Sequence, residues 1–149
     1  MNNYLTPMNI ICAEDDPDDR MMTQEAFDEC ELKGDLTFVE NGEELMSYLN
    51  RNNQFQELEN QCLPDLILLD LNMPKKDGKD CICEIKKDPT LKKIPIVVLT
   101  TSNDEDDILK TYNLGVSSYI TKPVQFDAMV DIFKTIHQYW FNTVRLPKN

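Results

Sequence analysis

Leu66-Ile67-Leu68-Leu69-Asp70-Leu71-Asn72-Met73-Pro74-Lys75-Lys76-Asp77-Gly78 passes from four apolar residues straight into a carboxylate, then into a polar turn ending in Asp and Gly. A short, continuously apolar run bounded by turn residues reads as a strand buried on both faces. Asp70 therefore stands at the mouth of such a strand, where a lone carboxylate is costly without a partner. Two other strand-like runs also end in charge. Asn9-Ile10-Ile11-Cys12-Ala13 leads into Glu14-Asp15-Asp16, and Ser118-Tyr119-Ile120-Thr121 leads into Lys122. Charge at three strand ends predicts one site assembled on the edge of a sheet.

Outward from this stretch the pattern alternates. Short β-branched or Leu-rich runs near 8–13, 35–40, 65–70, 94–100 and 117–121 read as strands. Amphipathic stretches near 17–32, 42–53, 78–88 and 103–114 separate them, and a last one runs from 125 to 144. Strands alternating with helices predict an α/β fold, a doubly wound parallel sheet reached by right-handed crossovers and covered on both faces. Ile94-Pro95-Ile96-Val97-Val98-Leu99 fits, being continuously apolar rather than alternating. The Asn- and Gln-rich segment 50–64 reads as a helix end followed by a loop.

The chain of 149 residues fits one domain over 8–149, preceded by an N-terminal arm over 1–7. A hydrophobic fraction of 41% argues against disorder. No apolar stretch approaches the ~18 residues of a membrane span, so no membrane is expected. The N-terminus lacks the pattern of a signal peptide. A formal net charge of −12 speaks against nucleic acid, which calls for clustered Lys and Arg. Five cysteines, an odd number with no C-x-x-C pair, suggest a reduced, cytoplasmic chain.

Several acids read as helix punctuation. Asp16 before Pro17, with Asp18 and Asp19 after it, gives an N-cap, a first-turn proline and acids facing the helix dipole. Asp104-Glu105-Asp106-Asp107 reads the same way. Glu14 and Asp15 lie closer to the strand end. In open α/β sheets, ligands sit outside the carboxyl ends of the strands, which would bring together Glu14, Asp15, Asp70, Thr100, Thr101 and Lys122. Three carboxylates there repel one another, and Lys122 alone leaves the cluster negative. Mg²⁺, a hard cation that prefers oxygen ligands and often joins carboxylates to phosphate, resolves this and points to phosphoryl chemistry. His137 and the Cys81-x-Cys83 pair read as ordinary helical residues.

The motifs Glu14-Asp15, Asp70-x-Asn72-Met73-Pro74-x-x-Asp77-Gly78, Thr100 closing the fourth strand, and Tyr119-x-x-Lys122-Pro123 resemble the receiver domain of two-component response regulators, over about residues 8–140. The resemblance implies a flavodoxin-like (βα)5 sheet of order 2-1-3-4-5 and phosphorylation of an aspartate by a partner histidine kinase. It makes Asp70 the phosphoacceptor. Asp15 would bind Mg²⁺ directly, Glu14 mainly through water and Asn72 through its backbone carbonyl. Lys122, the Thr100 hydroxyl and the Thr101 amide would cradle the phosphoryl group. Thr100 and Tyr119 would form the switch, Tyr119 turning inward once Thr100 is drawn to the phosphoryl group.

The extended C-terminal helix carries a stripe at helical spacing, Phe126, Met129, Val130, Phe133, Ile136 and Trp140. Phe126 through Ile136 are expected to dock on the sheet. Tyr139, Trp140, Phe141 and Val144 add apolar surface beyond its reach and predict a homodimer interface. The ending resembles stand-alone regulators paired with phytochromes, which implies a phytochrome as kinase. Only a few residues follow the last helix, so the protein is expected to act by phospho-dependent docking rather than as an enzyme on an external substrate. The alternatives are an unphosphorylated adaptor and a Mg²⁺-dependent phosphohydrolase; Asn72, where a phosphatase would carry a second acid, weakens the latter.

Overall fold

The structure, a computed structural model, describes residues 7–147. The expected N-terminal arm, apart from Pro7, lies outside the described residues, as do 148–149. The strands are β1 (Met8–Ala13), β2 (Gly34–Val39), β3 (Leu66–Leu69), β4 (Ile96–Thr100) and β5 (Ser118–Thr121). They form one parallel sheet of order β2-β1-β3-β4-β5. The helices are α1 (Pro17–Glu29), α2 (Gly42–Asn50), α3 (Gly78–Lys87), α4 (Glu105–Leu114) and α5 (Phe126–Ile136). None of the described helices is long and apolar enough to cross a membrane.

The continuous apolar runs are explained by two cores. Ile11, Ala13, Ile67, Leu69, Ile96 and Val98 point to one face, where Leu45, Ile82 and Ile85 of α2 and α3 cover them. The alternate residues Ile10, Cys12, Leu66, Leu68, Val97 and Leu99 meet Phe27 of α1 and Met129 and Phe133 of α5 on the other. Phe27 and Phe133 pack edge to face, with ring centroids 5.5 Å apart. Register then aligns the strand ends: Ala13 pairs with Leu69, Leu69 with Val98, and Thr100 with Thr121. The residues that follow each strand emerge on one edge.

Two segments differ from expectation. The loop after α2 contains a 3-10 turn, Asn53–Leu58, whose Phe55 packs edge to face on Tyr48 at 5.2 Å; one aromatic contact across a chain reversal leaves no periodic trace in sequence. The last helix is α-helical only to Ile136, and His137–Thr143 is wound as a π-helix. Val144 N–H donates to the Tyr139 carbonyl at 2.9 Å, five residues back. The wider turn lets Trp140 and Phe141 both pack against the α1/α5 core, while Tyr139 stays half exposed. Phe126, expected to dock, is 36% exposed because it sits at the first position of α5, short of the sheet.

Candidate functional site

Asp16 caps α1, its Oδ1 accepting the Asp18 and Asp19 amides at 2.8 and 3.2 Å. Capping turns the chain sharply after β1 and sends the Glu14 side chain inward, where it is 3% exposed. Arg20 fastens the turn from below, donating to the Glu14 and Asp15 carbonyls at 2.8 and 3.0 Å. At the end of β3 the chain folds back tightly. Gly78 N–H bonds the Leu71 carbonyl at 3.0 Å, and a Cβ on Gly78 would lie 2.6 Å from the Asp70 carbonyl oxygen. Glycine is required by that approach.

Asp70 is 7% exposed. Its Oδ1 accepts the Thr100 hydroxyl at 2.9 Å and the Asn72 amide at 3.2 Å, and its Oδ2 lies 3.2 Å from Lys122 Nζ. The Lys122 ammonium also bonds Glu14 Oε1 and, at 3.0 Å, Asp19 Oδ2. Burial pushes the Glu14 carboxyl up to about 7, against the downward pull of Lys122 and of the Asp16 amide. Burial alone would lower the Lys122 ammonium; its bonds to Glu14 and Asp19 and the charge of Asp70 outweigh that and keep it firmly protonated.

Glu14, Asp15 and Asp70 each offer a carboxylate oxygen within 4.8 Å of the others. Among the described residues this is the group of potential ligands that converges in this way. Two are buried and Asp15 is exposed, so the cluster opens to water on one side. All-oxygen donors, three carboxylates and an open side suit a hard divalent cation that keeps part of its hydration. Asn72 is exposed and reaches Asp70 through its backbone amide. Thr101 is exposed at the rim of a hollow it shares with Asp19 and Lys122.

Tyr119 is half-buried, and its hydroxyl donates to the Ser102 carbonyl at 2.8 Å while its amide donates to the Tyr112 hydroxyl at 3.1 Å. It is thus already tied to the β4–α4 loop. The Ser102 hydroxyl donates to Asp107 Oδ2 at 2.8 Å, and Asp107 Oδ1 pairs with Lys79 at 2.6 Å. Lys79 first, then Ser102, hold the Asp107 carboxyl below its usual range.

Two acids read as punctuation do more than that. Asp19 reaches Lys122, and Asp107 links α3, α4 and the loop. Both sit in helix first turns, where an acid is expected for dipole reasons, so the ordinary explanation hides the second role. Asp104 keeps to punctuation, capping α4 by accepting the Asp106 amide at 2.8 Å. Tyr139, Trp140, Phe141 and Val144 lie away from this edge, on the π-helix and just after it. His137 is buried there beside Phe141, their rings 6.4 Å apart. Cys81 is buried, with Sγ 3.6 Å from the Gly42 carbonyl.

The family model for the response regulator receiver domain matches residues 10–134. Response regulator Rcp1 of Synechocystis sp. is 39% identical over 141 residues, spanning 95% of this chain and 94% of its own length. The crystal structure of the phosphorylated cyanobacterial phytochrome response regulator RcpA matches with a TM-score of 0.84 at 43% identity, over 95% of this chain and 99% of that one. The Mn²⁺-bound form of response regulator Rcp1 gives 0.80 at 38% identity, over 93% and 99%.

Proposed function

The chain belongs to the response regulator receiver domain family, and from that premise we propose that it is a phosphorylatable signalling switch: Asp70 accepts a phosphoryl group from a histidine kinase in a Mg²⁺-dependent reaction. The observation that carries this reading is the set of contacts around the buried Asp70 carboxylate, with Thr100 and Lys122 in hydrogen-bond reach and Glu14 and Asp15 converging on it. An Asp70 oxygen forms the bond to phosphorus as the P–N bond of the kinase phosphohistidine breaks, and that bond's electron pair leaves with the imidazole nitrogen. Lys122 and the Thr100 hydroxyl turn from the Asp70 carboxylate to the phosphoryl oxygens, where charge builds up. Asp15, Asp70 and the Asn72 carbonyl, with Glu14 mainly through water, would hold Mg²⁺, which would supply charge neutralisation at those oxygens. The Thr101 amide completes the cradle.

The readout is a docking surface. Drawing Thr100 toward the phosphoryl group alters the β4–α4 loop to which Tyr119 is bonded, and partner affinity at α4, β5 and α5 shifts with it. The same reading makes the chain a cytoplasmic protein that promotes its own phosphorylation and slow dephosphorylation but turns over no external substrate. The likeness to RcpA supports a phytochrome as kinase. Self-association through Tyr139, Trp140, Phe141 and Val144 belongs to the reading as well, supported by the half-exposed Tyr139 ring. Incubation with Mg²⁺ and a phosphoramidate or acetyl phosphate should add one phosphate by mass spectrometry, and Asp70→Asn should abolish it. Equal incorporation in wild type and Asp70→Asn, or none in either, would refute the proposal.

A further inference from the structure

We infer that Asp19 is a positioning residue of this site: it gives the Lys122 ammonium a seat that remains when a divalent cation engages Glu14 and Asp70. The inference deepens the proposed function and rests on it. Lys122 Nζ has three carboxylate partners, Glu14, Asp19 and Asp70. Glu14 and Asp70 also belong to the converging acidic trio, whereas Asp19 stands outside it. A cation on the trio therefore draws on two of the three groups that hold Lys122 and repels the ammonium besides.

Asp19 is built to hold the third position. Its amide is bonded to the Asp16 cap at 3.2 Å, and its carbonyl accepts the Thr23 hydroxyl at 2.7 Å, so the first turn of α1 fixes where the carboxylate points. The Asp19 side chain is 40% exposed and that of Lys122 7%, so the pair leads from the floor of the site toward solvent. On that side lies a hollow of about 270 Å³ lined by Asp19, Thr101, Lys122 and Pro123, which leaves the ammonium space to shift. Asp18, one residue earlier, meets the same helix dipole but is exposed and contacts Asp16 only through its amide. Dipole compensation thus accounts for Asp18 and leaves the Asp19–Lys122 bond unexplained.

The physical consequence is a two-position lysine. With Asp19 present, a cation displaces Lys122 by a short shift, and the ammonium stays within reach of a phosphoryl group on Asp70. Without Asp19, Lys122 is held only by carboxylates the cation needs, and the two cations compete.

The test is Mg²⁺ titration calorimetry on the full chain, comparing wild type, Asp19→Asn, Asp18→Asn, Lys122→Met and the Asp19→Asn/Lys122→Met double variant at fixed pH and ionic strength. Asp19→Asn should weaken Mg²⁺ binding about fivefold, the scale of coupling between contacting groups, and Asp18→Asn less than about twofold. In the Lys122→Met background the Asp19→Asn effect should fall below about twofold, because a plain field effect of the lost charge would persist there. Lys122→Gln provides a second background. Equal effects of Asp18→Asn and Asp19→Asn, or an undiminished Asp19→Asn effect without Lys122, overturn the inference while leaving the metal site intact. Absence of Mg²⁺ binding in wild type overturns the metal-site reading itself, and this inference with it.

Discussion

Replacing Lys122 with Met removes the ammonium that Glu14, Asp19 and Asp70 share. The Glu14 and Asp70 side chains are 4% and 9% exposed, so two carboxylates are left close together with little access to water. Removing one partner from a buried ion pair costs about 3–5 kcal/mol. The lower end applies here, because Asp19 is partly solvated and Glu14 can relieve the clash by taking up a proton. The sign follows from Glu14. Burial already holds its folded carboxyl above the ordinary value, at about 7, so the folded state binds that proton more tightly than the unfolded chain and stability declines as pH rises through this range. Losing Lys122 removes a downward pull and extends the decline to higher pH. We expect a loss of about 3 kcal/mol at pH 8, a fall in Tm of about 6–12 °C for a domain of this size, and a smaller fall at pH 6. Thermal melts followed by circular dichroism at the two pH values read this directly, and added Mg²⁺ should restore part of the loss at pH 8. A fall of less than about 2 °C at pH 8, or a larger fall at pH 6 than at pH 8, would refute the argument.

Two further outcomes are expected. Thr100→Ala should retain Asp70 phosphorylation but weaken its readout, and an unaltered phosphorylation-dependent change in oligomeric state on size exclusion would contradict the coupling through Thr100. Burial holds the His137 imidazole below its ordinary value, so the docked π-helix resists a proton that the detached segment accepts. Docking should therefore be complete above about pH 6.5 and weaken as pH falls. Emission from Trp140, the sole tryptophan, should shift red on acidification, and a His137→Phe variant that keeps the same pH profile would assign the shift elsewhere.

The sheet order followed from the family resemblance, and the alternation from periodicity; both stand as read. Strand ends were legible because a continuous apolar run that stops at a charge marks the point where a buried strand leaves the core. Glu14, Asp70 and Lys122 were found at charged strand ends and Thr100 by its place closing the fourth strand, and the structure brings them into contact. Asp19 and Asp107 were hidden because helix-capping chemistry already accounted for acids at their positions, and a side chain's second partner lies far off in sequence: 103 residues away for Asp19 and 28 for Asp107. The π-helix was missed for a different reason. Trp140 continues the α-helical stripe from Ile136, and only the packing of Phe141 beside it demands the wider turn.

Ser102 is bonded at both of its polar ends, by its carbonyl to Tyr119 on β5 and by its hydroxyl to Asp107 on α4, which in turn holds Lys79 on α3. Hydrogen bonds at 2.6–2.8 Å lose most of their strength when stretched by an ångström or bent far from linear. The loop is therefore not free to drift. A displacement at Thr100 that moves Ser102 must stretch these bonds to β5 and α4 or carry their partners along, which ties the outer face of α4 and β5 to a point two residues from Asp70's hydrogen-bond donor.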